Sequence, residues 1–253
     1  MPNLNNKIAL VTGASSGIGR AAAIALANAG ASVVITARRT GRLEELAQEI
    51  SDAGGAASAI RADMGSESDI EAAIQHAAAT YGRLDYAFNN AGVEGPSTPL
   101  HEYATSDFDG VMQVNVRGVW LCMKHEIAQM LAQGGEPGVI VNGASASGTR
   151  GMRRQIAYTA SKHAVIGMTK VAAQEYGRNG IRVNAVCPGF TKTDMVDRLT
   201  RGDPERAERL AALSPLNRMG TPEEIAKSVV WLCSNESSFM NGEAMVLDGG
   251  MTV

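Results

Sequence analysis

Tyr158 and Lys162 lie four positions apart, a spacing that can couple a phenol to an ammonium group. Apolar residues around them predict a helix over residues 157–177, so both side chains would leave one helix face about one turn apart. A phenol has a pKa of roughly 10, and a neighbouring ammonium group favours the phenolate and brings that pKa toward neutrality. Taken alone, the pattern more often marks an exposed tyrosine and a solvated lysine.

Ser145 supplies a hydroxyl that could act with this pair. It follows an apolar run at residues 138–141, which predicts a buried strand that opens onto a loop of small residues. A hydroxyl at that strand end could hold a carbonyl or alcohol oxygen while Tyr158 moves its proton.

A glycine-rich loop lies near the N-terminus. Residues 7–12 predict a strand buried on both faces, Gly13, Gly17 and Gly19 follow it, and residues 20–29 have helical periodicity. Glycines in this context let the backbone approach a pyrophosphate, whose charge is stabilised at the positive end of the helix. The pattern predicts nucleotide binding, and the alternative is a tight turn without a ligand.

Arg38 and Arg39 follow the second predicted strand, residues 32–37. A fold that prefers NAD carries an acid here for the ribose 2′-hydroxyl, whereas an arginine can bind a 2′-phosphate through bidentate hydrogen bonds. The first acid after the strand is Glu44, inside the next predicted helix. We expect NADP(H) to be preferred, with NAD(H) as a second cofactor; the alternative is a solvated arginine pair.

Strands and helices alternate along the whole chain. Further strands are predicted at residues 57–62, 84–88, 138–141, 181–186 and 244–247, and further helices at 42–50, 66–81, 105–131 and about 221–234. Asn115 and Gly118 interrupt the helix at 105–131, where an asparagine is either a tolerated buried group or has a task. Seven strands with crossover helices predict one α/β domain over residues 1–253, with a Rossmann-type, doubly wound parallel sheet covered on both faces.

Polar residues collect at the carboxyl ends of the predicted strands. Asp63 follows the third strand, and Asn89, Asn90, Ala91 and Gly92 follow the fourth. Open α/β sheets bind ligands at this edge, so the glycine loop and the Ser145 loop would converge there. Residues 190–218 follow the sixth strand and predict a mobile lid over the site.

Composition excludes several classes of function. Charged residues make up 19% of the chain and the formal net charge is −3, which leaves no basic surface for nucleic acid. No apolar stretch reaches the ~18 residues of a membrane span, and the N-terminal pattern is not that of a signal peptide. Cys122, Cys187 and Cys233 form no C-x-x-C pattern, which favours reduced, buried thiols in the cytoplasm and neither a disulfide nor a metal site.

With these elements in order, the chain resembles the short-chain dehydrogenase/reductase family from about Ile8 to its C-terminus. The matching motifs are Thr12-Gly13-x-x-x-Gly17-x-Gly19, Asp63, Asn89-Asn90-Ala91-Gly92, Asn115, Ser145, Tyr158-x-x-x-Lys162, Pro188-Gly189 and Asp248-Gly249-Gly250. Each motif is weak by itself, but their order and spacing are together very specific.

The resemblance implies roles for these residues. Tyr158 would be the general acid/base, Ser145 would polarise the substrate oxygen, and Lys162 would bind the nicotinamide ribose and lower the Tyr158 pKa. Asn115 would hold a water in a proton relay that ends at Lys162. The implied cofactor-binding residues are Gly13, Ser15, Ser16, Gly17, Ile18, Gly19, Arg38, Asp63, Met64, Asn90, Ala91, Gly92, Tyr158, Lys162, Pro188, Gly189, Thr191 and Thr193.

Within that set, the resemblance places Asp63 at the adenine, Asn90 near the adenosine ribose, and Pro188 and Thr193 at the carboxamide. The family often has an aliphatic residue where this chain has Thr191. The positions that face the substrate in the family correspond to Val93, Glu94, Ser145, Ser147, Met152, Gln155, Tyr158, Phe190 and Met195. Three arginines lie near the expected mouth of the site: Arg150, Arg153 and Arg154. They could attract an anionic substrate such as an acyl-carrier thioester, although a solvated loop is the favoured alternative.

The resemblance therefore implies an NADP(H)-dependent oxidoreductase that interconverts a small secondary alcohol and a ketone. Two alternatives stay open at this point: a 3-oxoacyl-[acyl-carrier-protein]-type reductase, and a dinucleotide-binding sensor or scaffold without turnover. Family members are usually homotetramers that pair the helices at 105–131 and 157–177 between subunits, so a homotetramer is expected.

Overall fold

A parallel sheet organises the protein. The structure is a computed structural model that describes residues 2–134 and 138–253. In that part of the chain the strands are β1 (Ile8–Thr12), β2 (Ser32–Ala37), β3 (Ala56–Arg61), β4 (Tyr86–Asn89), β5 (Val139–Gly143), β6 (Arg182–Pro188) and β7 (Ala244–Leu247). All seven pair in parallel, in the order β3-β2-β1-β4-β5-β6-β7. The predicted doubly wound α/β fold is confirmed.

Helices cover both faces of this sheet. They are α1 (Gly17–Asn28), α2 (Thr40–Asp52), α3 (Glu67–Tyr81), α4 (Thr105–Met112), α5 (Val119–Ala132), α6 (Ile156–Tyr176), α7 (Asp194–Thr200), α8 (Pro204–Ala211) and α9 (Pro222–Cys233). Helix α1 begins three residues earlier than predicted, so the last two loop glycines lie in its first turn. Among the described residues, no helix combines the length and hydrophobicity needed to cross a bilayer.

Alternate residues of each central strand enter two separate cores, which explains why these strands are apolar throughout. On β1, Ala9 and Val11 pack into one core with α1, α2 and α9, whereas Leu10 packs into the other core with α3 and α5. The predicted free and buried cysteines are confirmed, since all three thiols are buried and unpaired by disulfides.

The long helix predicted over residues 105–131 is present, and the interruption predicted at Asn115 and Gly118 takes the form of a π-helical turn. Helix α4 ends at Met112, a π-helical turn spans Gln113–Gly118, and α5 continues from Val119. The wider turn carries Asn115, which is completely buried and bonded to neighbouring elements. Single π turns within helices frequently occur at functional sites.

Residues 190–220 leave the sheet after β6 and return before α9. Their two ends are joined, because Lys192 N–H donates to Gly220 O at 3.0 Å and Gly220 N–H donates to Phe190 O at 2.9 Å. Helices α7 and α8 lie within this closed excursion, at the carboxyl edge of the sheet. The sheet order reverses between β1 and β4, and the chain after both strands opens at that same edge.

Candidate active site

A cleft of about 530 Å³ lies at the carboxyl ends of β1 and β4. It brings together residues that are far apart in the chain: the glycine loop, the ends of β2, β3 and β4, and helix α7. The predicted cofactor residues that line it are Gly13, Ser15, Ser16, Gly17, Ile18, Arg38, Asp63, Met64, Asn90, Ala91, Gly92 and Thr193, and the predicted substrate residues are Val93, Glu94 and Met195. The residues that the sequence analysis missed are Ala37, Arg39, Ala62, Val114, Asp194 and Arg198.

The glycine loop forms a cradle that excludes side chains. A Cβ added at Gly19 would lie 2.5 Å from both Gly13 O and Asn90 Nδ2, and Gly13 has a φ of +67°. Asn90 holds the loop in place, because its Nδ2 donates to Thr12 O at 3.1 Å and its backbone N–H donates to Thr12 Oγ1 at 3.0 Å. The open backbone next to the first turn of α1 fits the pyrophosphate of a dinucleotide.

Arg39 is bonded to this loop, although the sequence analysis singled out Arg38. Its guanidinium donates to Ser15 Oγ at 3.0 and 3.2 Å and to Ser16 Oγ at 2.8 Å. It also lies 3.9 Å from the carboxylate of Asp194 on α7. Arg38 lines the same cleft with an exposed side chain, so two arginines line the cleft at the carboxyl end of β2.

Three of the four predicted catalytic side chains, those of Ser145, Tyr158 and Lys162, meet beside the cleft. Lys162 Nζ lies 5.4 Å from the centre of the Tyr158 ring, and the Ser145 hydroxyl lies close enough to that of Tyr158 to oppose the rise in its pKa. Lys162 is 4% exposed and donates to Gly143 O, at the end of β5, at 2.6 Å. A Cβ at Gly92 would lie 3.6 Å from Lys162 Nζ, so the lysine reaches the cleft floor. Helix α6 and the end of β5 bring these groups together.

The expected lowering of the Tyr158 pKa by Lys162 is absent. Burial raises the pKa of Tyr158 to about 12; the hydrogen bond with Ser145 opposes this rise, and the nearby carboxylate of Glu94 adds to it. Burial also lowers the pKa of Lys162 to about 8. The Lys162 ammonium group donates to Gly143 O, so it does little to stabilise the phenolate of Tyr158. The phenol therefore carries its proton at neutral pH.

Asn115 clamps the loop after β4 to helix α6. Its Oδ1 accepts from Val93 N–H at 2.8 Å, and its Nδ2 donates to Val93 O at 2.8 Å and to Ser161 Oγ at 3.1 Å. Ser161 Oγ in turn donates to Tyr158 O at 2.7 Å. Both hydrogens of the Asn115 amide group therefore donate to protein acceptors. One lone pair on Asn115 Oδ1 is then the only site on this side chain at which a water could bind.

Several predicted residues do not line the cleft. Gly189 packs against the C-terminal motif, since its added Cβ would lie 2.7 Å from Asp248 Cβ, and Thr191 Oγ1 donates to Gly189 O at 3.2 Å. Phe190 lines a second cavity of about 350 Å³ that also contains Asp248 and Gly249. The other predicted residues outside the cleft lining are Gly19, Asn115, Ser145, Ser147, Met152, Gln155, Tyr158, Lys162 and Pro188. Of these, Ser147 is buried and donates its N–H to Ser145 Oγ at 3.1 Å.

The three arginines between Ser145 and Tyr158 differ in their surroundings. Arg150 donates to Met251 O at 2.8 Å and is thereby tied to the C-terminal segment. Arg153 and Arg154 are exposed, and Arg154 has a φ of +65°.

A group of potential metal ligands lies outside the cleft, where the sequence predicted no metal site. Glu67 and Glu71 on α3 and His125 on α5 bring their ligand atoms within 4.8 Å of one another. The carboxylate of Glu67 already accepts from Arg117 at 3.0 Å and from Lys124 at 3.2 Å. These two cations balance its charge, so the group forms an ion-pair network between the helices.

Known proteins resemble this chain over its whole length. The family model described as enoyl-(acyl carrier protein) reductase matches residues 13–252. An A-factor type gamma-butyrolactone 1′-reductase (1S-forming) from Streptomyces virginiae is 44% identical over 250 residues, which cover 99% of this chain and 97% of that protein. A cyclohexanol dehydrogenase from Acinetobacter sp. (strain SE19) is 41% identical over 248 residues, 98% of this chain and 96% of that protein.

A solved structure extends the likeness to three dimensions. A variant of actinorhodin polyketide ketoreductase, crystallised with NADPH, superposes with a TM-score of 0.93 at 34% identity and covers 100% of this chain and 99% of its own.

Proposed function

Because this chain belongs to the short-chain dehydrogenase/reductase family, and is an oxidoreductase of that family, we propose that it interconverts a small secondary alcohol and a ketone with NADP(H). One observation supports this reaction more than any other. The side chains of Ser145 and Tyr158 lie together beside the buried ammonium of Lys162 and next to the glycine-lined cleft.

The cofactor would be held by groups that fit its charge and shape. The glycine cradle and the first turn of α1 would bind the pyrophosphate, while Arg38 and Arg39 would bind the 2′-phosphate. Thr193 lies against the glycine loop, since a Cβ on Gly17 would lie 3.0 Å from Thr193 Cγ2. It would therefore contact the cofactor from the α7 side of the cleft. When bound, the nicotinamide exchanges hydride with the carbon of the carbonyl or alcohol.

The side chains supply the proton and stabilise the charge. As a carbonyl is reduced, negative charge develops on its oxygen, and the hydroxyls of Ser145 and Tyr158 are placed to donate hydrogen bonds to it. A Tyr158 pKa of about 12 keeps the phenol protonated at neutral pH, which suits it to donate the proton in that direction. Lys162 would bind the nicotinamide ribose, and Asn115 would keep the loop and helix in register around the site.

An assay of NADPH consumption with a panel of ketones tests this proposal. Turnover of uncharged ketones is expected, whereas binding of NADPH without turnover of any ketone would indicate a sensor or scaffold. Comparing a neutral ketone with a 3-oxoacyl thioester separates the proposed reaction from that of an acyl-carrier-protein reductase.

The cofactor preference has its own test. Arg38→Asp places a carboxylate where the 2′-phosphate would bind, so the ratio of kcat/KM for NADPH to that for NADH should fall. A wild-type enzyme that favours NADH would contradict the proposed preference.

Two further proposals concern larger parts of the protein. Residues 190–218, within the closed excursion, would act as the lid over the cleft, since Thr193 before α7 and Asp194 and Arg198 on α7 line the cleft. A homotetramer is supported by exposed apolar side chains on the two helices expected to pair, Trp120 and Leu131 on α5 and Val171 on α6. A monomer in light scattering would rule out the tetramer.

A further inference from the structure

An ion pair links the proposed lid to the loop that follows β4. Arg198 on α7 donates from Nε to Glu94 Oε1 at 2.8 Å and from Nη2 to Glu94 Oε2 at 3.2 Å. These two parallel hydrogen bonds form the bidentate arrangement that fixes a carboxylate most firmly. Both residues line the cleft, although 104 positions separate them in the chain.

The two partners are not equally accessible. The side chain of Glu94 is 27% exposed and that of Arg198 is 60% exposed, so the carboxylate lies on the inner side of the pair and the guanidinium on the solvent side. The charge of Glu94 reaches the reacting group, because it raises the pKa of the Tyr158 hydroxyl. Glu94 also follows Gly92 by two residues, and a Cβ on Gly92 would lie 3.6 Å from Lys162 Nζ, so this loop passes close to the catalytic side chains.

The backbone on both sides of Glu94 is held in place. Asn115 binds both the N–H and the carbonyl of Val93. Gly95 has a φ of +66°, and a Cβ there would lie 2.5 Å from the Tyr103 hydroxyl and 2.7 Å from Val111 Cγ2. The loop therefore cannot easily carry the carboxylate away from an approaching anion.

We propose that Glu94 is a specificity-determining residue that makes this site select uncharged substrates over anionic ones, and that Arg198 is the positioning residue that holds its carboxylate. The inference rests on the proposed function, since it concerns the substrate of that reaction. A substrate carboxylate or phosphate near the reacting carbon would meet the carboxylate side of this ion pair, because the guanidinium lies toward solvent. A neutral substrate with a hydroxyl group there could donate to a remaining lone pair of the Glu94 carboxylate.

The test compares kcat/KM with NADPH for two ketones on the same ring, neutral cyclohexanone and anionic 4-oxocyclohexane-1-carboxylate. Glu94→Gln removes the negative charge and leaves Arg198 unpaired, so the preference for the neutral ketone should fall at least tenfold, about 1.4 kcal/mol. Arg198→Met leaves Glu94 unpaired, so the preference should increase, by about threefold or more. If the ion pair only stabilises the structure, both variants should reduce both ketones more slowly, and the preference for the neutral ketone should stay unchanged.

A matched control is available in the same excursion. Arg209 and Glu205 form an exposed ion pair on α8 at 3.5 Å and do not line the cleft. Glu205→Gln and Arg209→Met should leave the preference unchanged, which separates the local effect from a general effect of lid charge.

The outcomes are distinct. Opposite changes of preference in Glu94→Gln and Arg198→Met support the inference, and a preference that is unchanged or moves the same way in both overturns it while the proposed function stands. If the wild-type enzyme reduces no ketone of the panel with either coenzyme, the proposed function fails and the inference with it. Circular dichroism and NADPH affinity verify the fold of each variant, and Glu94→Ala replaces Glu94→Gln if that variant is unfolded.

Discussion

Replacement of the buried Glu126 by glutamine should make the protein progressively more stable relative to wild type as the pH rises from 5 to 8. Glu126 on α5 is completely buried, and its Oε2 accepts from Asn89 Nδ2 at 3.0 Å. Its Oε1 and Asn89 Oδ1 are both buried acceptors without a donor in the described part of the chain. A proton on the carboxyl group provides a donor at that position, so we expect the folded protein to hold Glu126 as a neutral acid.

The magnitude follows from the pKa of this carboxyl group. Burial raises the pKa of Glu126 from 4.5 to about 8, and the hydrogen bond from Asn89 only partly opposes this. Because the folded pKa is raised, the associated stability is fully present below about pH 4.5 and is lost as the pH rises through about 8. At about 1.4 kcal/mol per pKa unit, the loss between pH 5 and pH 8 is about 3 kcal/mol.

The Glu126→Gln variant keeps the shape of the side chain but does not titrate. Any cost of placing its amide is the same at every pH, so the informative quantity is how the difference from wild type changes with pH. Urea unfolding at pH 5, 6.5 and 8, at one protein concentration, should show the variant gaining about 3 kcal/mol relative to wild type across this range.

An exposed carboxylate serves as the control for this prediction. Glu44→Gln on α2 changes an exposed carboxylate, so its difference from wild type should change little over the same pH range. If the difference for Glu126→Gln is constant from pH 5 to pH 8, Glu126 is already ionised in the folded protein. The reasoning from burial would then be wrong.

Three further predictions concern the site. Tyr158→Phe removes the acid/base hydroxyl, so kcat should fall at least ~100-fold while the NADPH Kd, measured by fluorescence titration, stays unchanged; near-normal turnover would refute the assignment. Lys162→Met removes the donor to Gly143 O and the charge beside the proposed ribose site, so the NADPH Kd should rise, and an unaltered Kd would contradict that role. Gly19→Ala places a Cβ 2.5 Å from the neighbouring backbone and should abolish NADPH binding, whereas Gly41→Ala, which meets no atom within 4 Å, should bind normally; equal affinities in the two variants would contradict the cradle.

Local patterns in the sequence predicted most of the architecture. Two helix starts illustrate this: the Ser66 side chain accepts from Asp69 N–H, and Thr221 and Glu224 form a capping box, so each contact joins residues three positions apart. The strand, glycine loop and helix at the N-terminus were likewise readable, because each depends on neighbours within a few residues. Only the bounds moved, as for α1, where the helix includes glycines that the pattern assigned to the loop.

The π turn around Asn115 could not be predicted from the local sequence pattern alone. An asparagine and a glycine in an apolar helix predicted an interruption but not its form, since Asn115 is drawn inward by Val93 and Ser161, 22 and 46 residues away. Arg39 is a similar case, because its bonds to Ser15 and Ser16 depend on how β2 lies against β1.

By itself, the sequence determined the order of strands and helices, the parallel sheet, and the types and spacing of Ser145, Tyr158 and Lys162. The tertiary structure decided which charges these groups carry and which partners they meet. The Tyr158 pKa rises because surrounding elements exclude water from the phenol, and Arg198 reaches Glu94 because the excursion after β6 folds back over the cleft. Burial and long-range pairing depend on atoms brought together from distant parts of the chain, so no short stretch of sequence contains them.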